Sequence, residues 1–195
     1  QVGRLHTPLE VVMNLDDVFA RLRHFQLSTP EDPLSPNIMK LSLGRLTQGR
    51  RSGLRAAFQA WKAAQGYIST DDVQKVADNP VFGGGALAWL PNRERCVIEA
   101  WPKTYGRYDK SGYERFHGAD IRDLPDSQYL MPTTRSYFTA AHQQTPHLEL
   151  VEAVLTLENG SRYWGRYERL LLPWRTRGSD VFITSVPRLR LVSPC

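Results

Sequence analysis

Several residue groups in this 195-residue chain could do chemistry, and each has to be weighed against a plainer role. Asp109, Asp120, Asp123 and Asp126 gather within one stretch. Paired carboxylates perform acid–base work when their surroundings separate their pKa values. Here they sit beside bases such as Lys110 and Arg122 in a polar segment, so the spacing predicts solvated surface acids. A zinc site would need His or Cys in pairs at ligand spacing, and no such pair occurs. Cys96 and Cys195 form neither a metal nor a redox spacing, which fits reduced thiols in a cytosolic protein. There is no Gly-x-Ser-x-Gly turn to raise a nucleophile. The triple glycine Gly83-Gly84-Gly85 feeds an apolar strand, whereas a phosphate-cradling loop should feed a helix N-terminus, so it reads as a hinge. His142 stands alone near a helix end, where a solvated imidazole interacts favourably with the dipole. His147 follows Pro146 and cannot share a helix face with it.

Aromatic residues offer the other candidate site. Trp101, Tyr105, Tyr108, Tyr137 and Phe138 could line an apolar ligand pocket, together with Tyr163 and Tyr167 on a later hairpin. Large aromatics are more often core, and a filled core is the favoured reading. The excess charge of +5 is concentrated at Lys40, Arg45, Arg50, Arg51 and Arg55, and again from Arg162 through Arg190. The first group lacks the interleaved aromatics on which bases would stack, so it reads as a solvated basic segment rather than a nucleic-acid site.

The elements that position these residues follow from periodicity. Asn14 caps a helix over Asn14–Gln26 whose Leu15, Val18, Phe19, Leu22 and Phe25 recur on one stripe. Pro30, Pro33 and Pro36 then break the chain, and Ile38–Leu46 reads ambiguously, with a short helix ended at Gly49 as one outcome. Leu54–Gln65 is a clear amphipathic helix stopped at Gly66, and Ser69 or Thr70 caps a shorter one through Ala77. Ala86–Leu90 and Cys96–Trp101 read as strands. Lys103–Asp126 is a broken crossover, and Thr133 or Thr134 caps a helix through Gln143. No apolar run approaches the roughly 18 residues needed to cross a bilayer, and no charged-then-apolar leader is recognisable.

The last third fixes its own register. Leu148–Leu157 and Arg162–Leu172 flank Glu158-Asn159-Gly160, a three-residue loop with Gly160 at the left-handed position. Side-chain alternation then sets Leu155 opposite Tyr163, Ala153 opposite Gly165 and Val151 opposite Tyr167. Glu152 falls opposite Arg166 and Thr156 opposite Arg162 on the reverse face. This predicts one apolar face with a gap at Ala153 and Gly165, a wall for a small pocket, and one wetted face of complementary charge. A third strand, Val181–Val186, follows.

Two strands, a helical crossover, a longer helix and a three-stranded meander resemble the order of a PAS domain. Gly118-Ala119-Asp120-Ile121-Arg122-Asp123-Leu124 resembles a turn of that fold. Tyr167-Glu168-Arg169-Leu170-Leu171-Leu172-Pro173, followed by Val181-Phe182-Ile183, is similar to the closing segment of small stand-alone bacterial PAS proteins. Ala57-Phe58-Gln59-Ala60-Trp61, Gly66 and Asp71-Asp72-Val73 resemble that family's entry helix. The likeness covers roughly Leu54–Val192; Trp174 and the helix Asn14–Gln26 depart from it.

The resemblance implies an α+β fold: a PAS-like five-stranded antiparallel sheet with a helical crossover, residues 54–195, behind a helical extension and linker, residues 1–53. It implies a cytoplasmic, non-catalytic sensory or protein-interaction module in signal transduction, with a small apolar or aromatic ligand as an option. No cofactor or metal is expected, since the flavin-type Asn-Cys pair is missing from the helix after the second strand and His142 reads as solvated. An enzyme of cyclase or isomerase type on a similar sheet, needing a titratable group inside the cavity, is the first rival. A basic nucleic-acid adaptor is the second. With no output domain in view, signalling would pass through a protein partner or self-association, and the stripe on Asn14–Gln26 is expected to pair as a homodimer.

Overall fold

Strand formation begins earlier than the apolar spacing suggests. The computed structural model describes residues 35–49, 51–82, 87–91, 95–100, 117–123, 127–156 and 162–194. Asn37–Leu41 is a strand, β1, followed by a 3-10 turn at Leu43–Thr47. The short-helix option for Ile38–Leu46 is therefore replaced by a strand and a turn. Its residues look helical in spacing because both faces of the strand meet protein: Ile38 joins one apolar cluster, and Leu41 joins another.

Helix α1 (Ser52–Ala63) buries Leu54 and Ala57 and packs Phe58 and Trp61 beside them. It stops at Gly66, which adopts φ +62°, and a Cβ there would lie 2.7 Å from Trp61 Cζ2. Glycine is thus required twice over, by the backbone and by the indole that closes on it. That indole donates from Nε1 to the Pro173 carbonyl at 2.7 Å, tying the end of α1 to the sheet. Helix α2 (Val73–Asp78) buries Val73 and Ala77 after a 3-10 turn at Thr70–Asp72.

Strands β2 (Leu87–Leu90) and β3 (Val97–Ala100) pair as an antiparallel hairpin. Helix α3 (Ser127–Gln143) starts before Thr133 and carries Pro132 inside it. Thr133 and Thr134, expected to cap the helix, instead lie inside it. The Thr133 hydroxyl donates to the Tyr129 and Leu130 carbonyls at 3.0 Å, and that of Thr134 to Leu130 at 2.6 Å, supplying donors in the turn that the proline deprives of one.

Strands β4 (His147–Thr156), β5 (Arg162–Arg175) and β6 (Val181–Pro194) complete the sheet. The pairing of β4 with β5 sets Leu155 against Tyr163, Ala153 against Gly165, Val151 against Tyr167, Glu152 against Arg166 and Thr156 against Arg162, as the hairpin loop required. The sheet has six strands in the order β1-β4-β5-β6-β2-β3, one more than the five expected, because β1 adds to the edge of β4. All its pairings are antiparallel.

Both sheet faces are covered. One packs Leu148, Leu170, Leu172, Trp174 and Phe182 against Leu54, Ala57 and Phe82. The other packs Leu171, Val181, Ile183 and Leu90 against Ala140 and Ala141 of α3. The expectation of a sheet wetted on one side is thereby corrected. The run Leu170-Leu171-Leu172 carries the reason, since consecutive apolar residues suit a strand buried on both faces. Among the described residues, no helix is long and apolar enough to cross a membrane. The helix over Asn14–Gln26, the triple glycine and the Glu158-Asn159-Gly160 loop lie outside the described residues.

Candidate functional site

Two charged clusters, one on each face, lie where apolar packing gives way to polar groups. Extending the β4–β5 register by two residues puts Glu149 opposite Arg169 on the same face as Val151 and Tyr167. Both are buried, and Arg169 Nε donates to Glu149 Oε2 at 2.8 Å. Its Nη2 reaches the Thr133 carbonyl of α3 at 3.2 Å, and its guanidinium lies 5.5 Å from the centre of the Tyr137 ring. Arg169, held by Glu149 on the neighbouring strand, thus ties the crossover helix to the sheet through a charge-assisted hydrogen bond and a cation–π contact.

Tyrosines line the rest of this seam. The Tyr129 and Tyr167 hydroxyls are hydrogen-bonded to each other. Tyr129 also packs against Val151, Ala153 and Tyr167, so a side chain from α3 meets the gap expected at Ala153 and Gly165. Burial pushes both the Tyr137 and Tyr167 hydroxyls above the ordinary tyrosine range. At the start of β4, His147 Nε2 lies 2.9 Å from Gln143 Oε1 and 3.5 Å from Lys40 Nζ. Burial first, and the Lys40 charge second, lower the pKa of its imidazole.

The opposite face carries Glu168. Its carboxylate accepts from Arg51 Nη2 at 2.7 Å, Arg188 Nη1 at 2.8 Å and Arg190 Nη2 at 2.6 Å. Arg51 Nε adds contacts of 3.1 Å to both oxygens. Burial opposes ionisation, yet the three guanidinium groups overcome it and hold the carboxyl at about 2, below its usual 4.5. A register shift between Arg166 and Tyr167 leaves Arg190 as an extra residue on β6, a bulge that lets it share the carboxylate with Arg188. Nearby, Glu152 pairs with Arg166 at 3.1 Å and accepts from Asn37 at 3.2 Å. The cross-strand pair expected there is present, but Glu152 is only 6% exposed, so it is not a wetted surface pair.

Asp120 corrects a second expectation. It is buried, not solvated, and accepts from the Arg122 backbone and side chain at 2.7 to 3.0 Å. Those hydrogen bonds lower its carboxyl to about 2. Asp123 is exposed, while Asp109 and Asp126 lie outside the described residues. An open cleft of about 520 Å³ lies by β2 and β3, lined by Trp89, Pro91, Arg95, Val97, Glu99 and His117.

Of the seven aromatics proposed as ligand contacts, Tyr137, Phe138 and Tyr167 are on the α3-facing side of the sheet. Phe138 also lies 5.9 Å from the Arg122 guanidinium. Tyr163 is placed in β5 opposite Leu155, and its side chain is not described. Trp101, Tyr105 and Tyr108 lie outside the described residues. His142 is exposed, with Nδ1 2.8 Å from the Phe138 carbonyl, matching its reading as a solvated helix-end histidine. No group of three His, Cys, Asp or Glu among the described residues could hold a metal ion.

Sequence reasoning missed Glu149, Arg169 and Tyr129 in the seam, and the joining of Arg51 to Arg188 and Arg190. The first two were recoverable from the register itself. The last requires the long-range contact between α1 and the sheet.

No protein-family model matches the chain, and no curated protein matches it. Among solved structures, an RNA-binding light-oxygen-voltage receptor aligns with 78% of this chain at 14% identity and a TM-score of 0.36. The aligned part spans 38% of that receptor's length. A likeness of that depth assigns neither family nor activity.

Proposed function

We propose that the chain is a PAS-like interaction module that works without catalysis, through contacts made by its helices and by a second copy of itself. The two-strand hairpin β2–β3 and the three-strand meander β4–β6, in the order on which the PAS resemblance rests, share one sheet with β6 beside β2. The observation that carries the reading is the seam beneath α3. Arg169, Glu149, Tyr129, Tyr137 and Tyr167 occupy the face on which a small ligand would otherwise lie. A helix held to a sheet by an arginine that a cross-strand carboxylate fixes can pass a shift in its position to the strands beneath it.

The enzyme reading called for a titratable group inside this seam and expected the acids outside. Glu149 and His147 are in fact inside. Glu149 is engaged by Arg169, however, and His147 by Gln143 and Lys40, so both acid–base groups are tied into the protein's own hydrogen bonds. The apolar stripe Leu15, Val18, Phe19, Leu22 and Phe25 supplies the proposed pairing surface, because a short amphipathic helix is marginal alone in water.

Native mass spectrometry of the protein purified from its own host tests both parts of this reading. The expected spectrum is a dimer whose mass equals two polypeptides. A monomer, or a stoichiometric small molecule released on denaturation, would count against it.

A further inference from the structure

The Glu168 cluster holds more positive charge than its fold requires. One arginine would balance the charge of a buried carboxylate, yet Arg51, Arg188 and Arg190 all converge on this one. The neighbouring acid on that face, Glu152, is engaged by Arg166 and Asn37. Three guanidinium groups around one carboxylate leave a local surplus of two positive charges.

The three arginines are not equivalent. Arg51 is the anchor: its side chain is 11% exposed, and its Nη1 also donates to the Gln48 carbonyl at 3.1 Å and the Arg45 carbonyl at 3.4 Å. Arg188 and Arg190 are 26% and 39% exposed and give Glu168 one hydrogen bond each. A guanidinium carries five N–H donors, so both heads keep donors for an incoming oxyanion. Glu168 fixes their positions from below and the bulge at Arg190 turns a second guanidinium toward the same point, an arrangement that pre-organises a fork for bidentate oxygens.

We propose that Arg188 and Arg190, held by Glu168 and Arg51, bind the phosphoryl group of a phosphate monoester. The surplus of two charges matches a dianion. The cations converge on one carboxylate instead of running in a row, which suits a single phosphoryl group rather than a nucleic-acid backbone. This site is on the sheet face opposite the α3 seam and stands independently of the interaction reading.

Calorimetric titration of the full-length protein with inorganic phosphate and with phenyl phosphate at low ionic strength tests the proposal. One saturable equivalent is expected, with phenyl phosphate competing against phosphate. Arg188→Gln and Arg190→Gln should each weaken binding by about tenfold or more, as for a lost hydrogen bond to a charged group. Arg135→Gln, which removes the same charge from an exposed position on α3, should leave it within about twofold. Arg188→Lys keeps the charge but loses the fork, and should weaken binding even where the glutamine variant fails to fold. Absence of a saturable isotherm, equal weakening by Arg135→Gln, or undiminished affinity in Arg188→Lys would each overturn the site. So would a short single-stranded oligonucleotide that binds and is not displaced by phenyl phosphate.

Discussion

Glu168→Gln should destabilise the protein by about 3–5 kcal/mol at neutral pH, because it strands guanidinium groups that the buried carboxylate compensates. Glu168 is 1% exposed, so water cannot replace the lost charge. The amide also accepts on one oxygen only, whereas the carboxylate shares two among Arg51, Arg188 and Arg190. The same carboxyl predicts a pH response. Its folded pKa of about 2 lies below the ordinary 4.5, so its contribution is present above pH 4.5 and is lost as pH falls toward 2. Urea unfolding at pH 7 and pH 3 should therefore show the wild type and Glu168→Gln converging in acid. A loss under about 1 kcal/mol at pH 7, the value of an exposed pair, would mean that the cluster is open to water.

Arg169→Met should cost a comparable amount, about 3–5 kcal/mol, since Glu149 would remain buried without its cation. Both side chains are at most 5% exposed, and Arg169 also holds the Thr133 carbonyl and the Tyr137 ring. The double variant Glu149→Leu/Arg169→Met should recover most of that loss. Well-packed apolar residues often replace a buried ion pair at little cost or with a gain. A double-mutant cycle by chemical denaturation separates the alternatives. Strong coupling supports Glu149 as the group that holds Arg169 in place beneath α3; additive single effects would contradict it.

What the sequence revealed and what it hid differ by range. The β4–β5 register was legible because a short hairpin loop and a period of two fix it locally. Trp61 on the apolar stripe of α1 and Gly66 as its stop were likewise legible from local spacing, although the bond from Trp61 to Pro173 was not. Strand β1 was hidden because its pairing partner, Leu148 to Glu152, is more than 100 residues away. The start of α3 was misplaced because Thr133 and Thr134 are residues that suit a cap, yet inside the helix their hydroxyls donate back to the Tyr129 and Leu130 carbonyls.

At the candidate site, the alternation of β4 and β5 does not keep one face wholly apolar. Glu149 and Arg169 belong to the face read as apolar, and carrying the register two positions further exposes them as a pair. The two basic stretches gave no local sign of meeting. Arg51 and Arg190 share a carboxylate only because α1 packs on the sheet and a bulge turns β6.

The claim that the protein's own side chains fill the seam beneath α3 is tested most directly by thermal denaturation with p-cresol, the side chain of tyrosine as a free molecule. Tyr167→Ala removes a ring packed among Val151, Ala153 and Tyr129, at a cost of about 3–5 kcal/mol. Wild-type protein should show no saturable rise in melting temperature with p-cresol, while Tyr167→Ala should show one as the cresol refills the space. Saturable stabilisation of the wild type by p-cresol would show a vacant aromatic site already present under α3, and would contradict the account.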